Sequence, residues 1–135
     1  YTTLFRSVAM SQSFRVLLVE DDDSLRCCLV EFLASQGWEV GATAAATEAL
    51  QLARQRRFDF SLMDFHLPGM TGLQLFQQLV ALRPLPAILM SGLASAEEAA
   101  AARHAGFFTF LRKPLDAAGL HAALRELSAQ RNPAA

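Results

Sequence analysis

The stretch FSLMDFHLPGMTGLQL, residues 60–75, decides how this chain is read. An apolar run, Phe60 to Met63, ends in a single acid, Asp64. A loop with Pro68, Gly69 and Gly72 follows, and then a second apolar run with helical spacing. A run this short and this apolar suits a strand buried on both faces, as in a parallel sheet. The carboxylate stands where that buried segment surfaces.

Four further runs resemble the first: FRVLLV (14–19), WEVGAT (38–43), AILMS (87–91) and FFTFL (107–111), with FDFSLM (58–63) as the third in order. Helical patterns lie between them. Asp23 or Ser24 is expected to cap a helix with Leu25, Cys28, Leu29, Phe32 and Leu33 on its apolar face, ended by Gly37. Thr47 is expected to open the next, with Leu50 and Ala53 inward. Thr71 with Gln74, and Ser95 with Glu98, fit the capping-box pattern. The last helix is expected from about Asp116 to Ser128, with Leu120, Leu124 and Leu127 as its stripe. Strand alternating with helix five times predicts an α/β fold, a doubly wound five-stranded parallel sheet with helices on both faces.

The bulk numbers narrow the function. The 135 residues suit one core. A net charge of −1 lacks the basic excess of a general nucleic-acid binder, so no direct nucleic-acid contact is expected. Apolar residues make up 53%, and alanine supplies much of that. The longest stretch free of Asp, Glu, Lys and Arg, residues 65–82, carries Pro68, two Gly and three Gln, which argues against a membrane span. Cys27 and Cys28 are neighbours on a helix and point in different directions. They read as thiols on or near a helix face, in keeping with the cytoplasm.

The first residues stand apart. YTTLFRS (1–7) back-translates as TAC ACG ACG CTC TTC CGA TCT, which resembles the end of a widely used sequencing adapter. Residues 1–9 are therefore expected to be a non-native extension, 10–128 the folded domain, and 129–135 a tail or linker start.

In open parallel sheets, ligands sit outside the carboxyl ends of the strands. Strand one ends in Glu20, Asp21, Asp22 and Asp23; strand three in Asp64; strand four in Ser91; and Lys113–Pro114 follows strand five. If the order is 2-1-3-4-5, the acids of strands one and three converge. A carboxylate cluster calls for an offsetting hard divalent ion, and Mg²⁺ with carboxylate and water ligands suits it. A carboxylate beside Mg²⁺ and a lysine can attack a phosphoryl group and become an acyl phosphate. Taken singly, each feature also has a plain reading. Asp64 could cap a helix, the run 20–23 could be a solvated turn, and Lys113–Pro114 could be a simple turn. Their joint placement at four of five strand ends favours the functional reading.

The motifs LLVEDDDSLR, LMDFHLPGMTGL, ILMSG and FLRKP resemble, in order and spacing, those of the receiver domain of two-component response regulators, the chemotaxis-regulator-like fold. The resemblance runs from about Phe14 to Leu127 and implies the flavodoxin-like strand order 2-1-3-4-5. It implies that Asp64 is the phospho-acceptor, with Lys113 on the phosphoryl oxygens and Ser91 donating to them. It further implies Mg²⁺ ligation by Asp21, Asp64 and the His66 backbone carbonyl, with Glu20 acting mainly through water. Phe110 falls on the aromatic switch position, and the bond before Pro114 is expected to be cis. The implied donor is a histidine kinase or phosphotransfer protein, and the implied output surface is the helix 4–strand 5–helix 5 face, read by another protein. Catalysis would be limited to the domain's own phosphorylation and dephosphorylation.

Departures from the family pattern are few. Glu20 replaces the commoner Asp, and Phe110 stands where Tyr is frequent. His66 and Leu93 occupy the variable positions near the phosphate; an apolar Leu93 cannot orient water, so His66 is expected to set the phosphoryl lifetime. Other classes stay open. A pseudo-receiver interaction module would be favoured by loss of Asp64, the acidic pair or Lys113, and all are present. The chain could also be the receiver of a hybrid kinase or a longer regulator. An Asp-nucleophile phosphatase would want an acid where His66 stands. A flavin-binding protein would want a phosphate-cradling loop where the acids stand.

Overall fold

The computed structural model describes residues 13–92 and 95–131. Five strands, β1 (Arg15–Val19), β2 (Glu39–Thr43), β3 (Phe60–Asp64), β4 (Ala87–Ser91) and β5 (Thr109–Arg112), form one sheet in the order β2-β1-β3-β4-β5. Every pairing in it is parallel. The helices are α1 (Asp23–Ser35), α2 (Ala46–Gln55), α3 (Gly72–Leu82), α4 (Ala96–Ala105) and α5 (Ala117–Arg131). This is the doubly wound α/β architecture expected from the strand–helix alternation.

Strand periodicity explains why both faces are covered. Successive side chains of a strand point to opposite faces. Val16 and Leu18 pack with Leu29 and Leu33 of α1 and Leu120 and Leu124 of α5. Leu17 and Val19 pack with Leu50 of α2 and Leu75 and Leu79 of α3. All of β3 and β4 is buried. Each buried Leu or Val contributes roughly 1.5–3 kcal/mol of burial free energy. The buried Ser61 in β3 is accommodated because its hydroxyl donates to the Leu17 carbonyl at 2.9 Å.

Several local expectations shift. The α1 cap is Asp22, not Asp23 or Ser24: its carboxylate accepts from Leu25 N at 3.1 Å. Asp23 instead pairs with Arg26 at 2.6 Å, one turn on. Cys28, placed on the apolar face by its spacing, is exposed, as is Cys27. Helix α2 starts after Ala45, not at Thr47, and no side chain caps it; Thr43 accepts from Ala45 N just before it. Strand β5 begins two residues late because Phe107 N closes the end of α4 on Ala102 O at 3.1 Å. Helix α5 continues past Ser128 to Arg131, since Ala, Gln and Arg are good helix formers.

The Thr71–Gln74 capping box is complete, with hydrogen bonds of 3.0 and 3.2 Å in the two directions. The Ser95–Glu98 box is only half formed. Ser95 accepts from Glu98 N at 3.0 Å, but the Glu98 carboxylate is engaged by Ser91.

Candidate functional site

Asp64 closes β3, and its neighbour in register on β4 is Met90. The loop that follows is built to return immediately. His66–Leu67 pairs antiparallel with Met70–Thr71 across Pro68–Gly69. Proline presets the first turn position, and Gly69, at φ 81°, supplies the positive φ that the second requires. Gly72 then opens α3 hard against the strand end, donating its N–H to Phe65 O at 2.7 Å. A Cβ at Gly72 would collide with the Asp64 carbonyl oxygen and lie 2.9 Å from Leu89 Cδ1. Only glycine lets the helix approach this closely.

Because β1 and β3 are adjacent, Glu20 and Asp21 arrive beside Asp64. One carboxylate oxygen from each of the three lies within 4.8 Å of the others. Glu20 is fully buried, Asp64 is 5% exposed and Asp21 is exposed. Lys113 crosses the sheet end to reach two of them, donating to Glu20 Oε1 at 2.7 Å and to Asp64 Oδ2 at 3.1 Å. Its backbone N–H is tied to Ser91 O at 2.9 Å, and the peptide bond to Pro114 is cis.

The remaining oxygens are differently placed. Glu20 Oε2 accepts from Asp22 N at 3.1 Å, so both Glu20 oxygens meet protein donors. Asp64 Oδ1 accepts a longer hydrogen bond from His66 N at 3.3 Å. Burial pushes the Glu20 carboxyl above its ordinary 4.5; the hydrogen bonds from Lys113 and Asp22 only partly offset it, and the Asp64 charge adds to it. Burial alone would lower the Lys113 ammonium, but its hydrogen bonds to Glu20 and Asp64 outweigh that and raise it above 10.5. Lysine therefore stays charged at neutral pH.

Three carboxylates face one ammonium. The set consists of hard oxygen donors, with Asp21 at the solvent side, and it could hold a divalent metal ion. Ser91 is fully buried at the end of β4. Phe110, half-buried on β5, is paired in register with Leu89 and packs against the same core face as Phe65 and Ala105. Leu93 and residues 1–9 lie outside the described residues.

Three residues at the site were not assigned to it by the sequence reading. Gly72 read as a loop glycine, and nothing local signals a backbone approach from Asp64. Arg26 donates to the Glu20 carbonyl at 2.9 Å, a contact that its position one turn into α1 makes possible. Glu98 was assigned to a capping box, which concealed its contact with Ser91.

Among the described residues, no helix is long and apolar enough to cross a membrane. The chain is 32% identical over 120 residues to the transcriptional regulatory protein GlrR of Escherichia coli K12, covering 88% of this chain and 27% of that protein. It is 37% identical over 109 residues to the C4-dicarboxylate transport transcriptional regulatory protein DctD of Rhizobium meliloti, covering 80% of this chain and 24% of that protein. The chain thus spans about a quarter of the length of these relatives. Among solved structures, a CheY-like response regulator receiver domain protein from Methanospirillum hungatei superposes with a TM-score of 0.85 at 28% identity, over 92% of this chain and all of that one. Receiver domains catalyse only their own phosphorylation and dephosphorylation, and the receiver fold implies partnership with a histidine kinase or phosphotransfer protein. The profile described as the response regulator receiver domain matches residues 16–125, from the second residue of β1 into the last helix, and on that match the chain belongs to the response regulator receiver family.

Proposed function

We propose that this domain is a phosphoryl-accepting signalling switch of a two-component system, with Asp64 as the acceptor. The observation that carries this is the position of Lys113: its ammonium lies 3.1 Å from Asp64 Oδ2 while anchored to the buried Glu20. An ammonium so held is preorganised for the charge of a phosphoryl group arriving at Asp64.

In this reading an Asp64 oxygen attacks the phosphorus of a phosphohistidine on a kinase or phosphotransfer protein. The P–N bond breaks, and the imidazole leaves with the electron pair and takes up a proton. Asp21, Asp64 and the His66 backbone carbonyl would hold Mg²⁺, with Glu20 acting through water, since its own oxygens already meet Lys113 and Asp22 N. The bound ion would supply charge neutralisation for the phosphoryl oxygens. Ser91 then donates to a phosphoryl oxygen, and Phe110 moves into the space it leaves. The face formed by α4, β5 and α5, with Arg103, His104 and Arg112 exposed on it, would carry the change to an output protein. We place the domain in the cytoplasm and expect no direct nucleic-acid contact from it. His66 is the side chain we expect to govern hydrolysis.

A pseudo-receiver that never takes phosphate is disfavoured by the joint presence of Glu20, Asp21, Asp64 and Lys113 in contact geometry. The test is intact mass after incubation with acetyl phosphate, with and without Mg²⁺, beside Asp64→Asn. A Mg²⁺-dependent gain of one phosphoryl mass, absent from the variant, is expected. No gain in either protein would overturn the reading.

A further inference from the structure

Glu98 joins Ser91 to helix α4. Ser91 Oγ donates to Glu98 Oε1 at 3.1 Å. The other carboxylate oxygen lies 3.6 Å from His66 Nε2, on the loop that follows Asp64. Glu98 belongs to the first turn of α4, and its N–H is capped by Ser95. One side chain on the output helix therefore reaches both the hydroxyl at the end of β4 and the residue two positions beyond Asp64.

The contact sits in a favourable medium. Ser91 is fully buried, and the Glu98 side chain is 20% exposed. Hydrogen bonds to a charged acceptor are stronger than neutral ones, and more so away from water. The His66 distance is too long for a hydrogen bond, so the Ser91 contact is the principal one.

A serine hydroxyl has one proton to donate. A carboxylate oxygen only accepts, so here that proton is directed to Glu98. The switch reading above requires the same proton for a phosphoryl oxygen on Asp64. The two acceptors compete. We propose that Glu98 is a positioning residue that holds Ser91 in its unphosphorylated hydrogen bond, so that phosphorylation must displace Glu98 and thereby release the first turn of α4. This rests on Asp64 being the acceptor.

Helix α4 is suited to be governed by one polar tie. Ala102 is the buried residue of α4, and a single methyl group contributes little burial free energy. The helix is anchored at its start by the Ser95 cap and by Glu98. Loss of the Ser91 bond removes one of these two anchors. Glu98 is then the link by which movement of Ser91 is felt at the output face.

The test is calorimetric titration of beryllofluoride, as a phosphoryl mimic, into the full chain with Mg²⁺. The proteins are unaltered, Glu98→Ala, Glu98→Gln, Ser91→Ala and the Ser91→Ala/Glu98→Ala double variant, each checked for native circular dichroism. Removing the competing acceptor is expected to tighten binding about tenfold in Glu98→Ala. Glu98→Gln, which keeps the side-chain length and a neutral acceptor, should fall between. In the Ser91→Ala background, Glu98→Ala should change affinity by less than about twofold, because there is no shared proton. An equal gain in both backgrounds would reduce Glu98 to a simple charge effect and overturn the latch. So would no gain in either glutamate variant. Failure of the unaltered chain to bind beryllofluoride with Mg²⁺ would instead overturn the acceptor reading, and the latch with it.

Discussion

Lys113 donates to Glu20 Oε1 at 2.7 Å across 93 residues of sequence, and the glutamate it reaches is fully buried. This pair organises the site. The ammonium is held by Glu20 and turned toward Asp64, and burial of the glutamate charge is offset mainly by that one cation.

Removing the lysine therefore has two effects. Lys113→Met leaves Glu20 buried without its cation. Breaking a buried pair from one side typically costs about 3–5 kcal/mol, and the partial exposure of Lys113 places this case near about 3 kcal/mol. Urea unfolding measures it. Adding Glu20→Gln should recover part of the loss, since the uncompensated charge goes. Neither variant should be labelled efficiently by acetyl phosphate.

The raised Glu20 carboxyl gives a pH dependence of unusual sign for an acid. The folded state holds the Glu20 proton more tightly than the unfolded chain. The contribution of this group to stability is thus fully present below the unfolded value, near 4.5, and is lost as pH rises through the higher folded value. Lys113, also raised, behaves likewise at the alkaline end: its contribution is fully present below 10.5 and is lost as pH rises through the higher folded value. Urea unfolding across pH 4–8 without Mg²⁺ should show a stability difference between the unaltered chain and Glu20→Gln that drifts against the unaltered chain as pH rises. A difference independent of pH would contradict the shift.

Metal affinity should separate the two neighbouring acids. Asp21 is exposed, whereas both Glu20 oxygens already accept from protein donors. Asp21→Asn is expected to weaken Mg²⁺ binding by about tenfold or more, and Glu20→Gln by less, as for an outer-shell group. Calorimetric Mg²⁺ titration of the two variants decides this; equal losses would place Glu20 directly on the ion.

Gly72→Ala tests the backbone contact behind Asp64. The added methyl would meet the Asp64 carbonyl, which is backbone and cannot swing aside. The cost expected is about 1–3 kcal/mol of stability by urea unfolding. Labelling by acetyl phosphate should also slow, because relief of the clash displaces the strand end that presents Asp64.

The amino-acid sequence by itself determined the class of fold. Five short apolar runs alternating with helical patterns admit few arrangements, because strands buried on both faces need helices on each side. It also placed Glu20, Asp21, Asp64, Ser91 and Lys113 at strand ends. Element limits were less legible where two local signals competed. Asp22, Asp23 and Ser24 are all capable caps, and only the path of the chain out of β1 selected Asp22. Phe107 has strand character, but the end of α4 uses its N–H.

The tertiary structure alone decided which donors meet which acceptors. Glu98 carries the spacing of a capping box, yet its carboxylate turns to Ser91 because β4 and the start of α4 bring a buried hydroxyl within reach. Gly72 matters because the Asp64 carbonyl and Leu89 lie against it. Periodicity and capping are local and repeat along the chain, so they can be read residue by residue. Hydrogen bonds between residues far apart in sequence depend on the packing of whole elements, which fixes their distances only once the sheet and its helices are assembled.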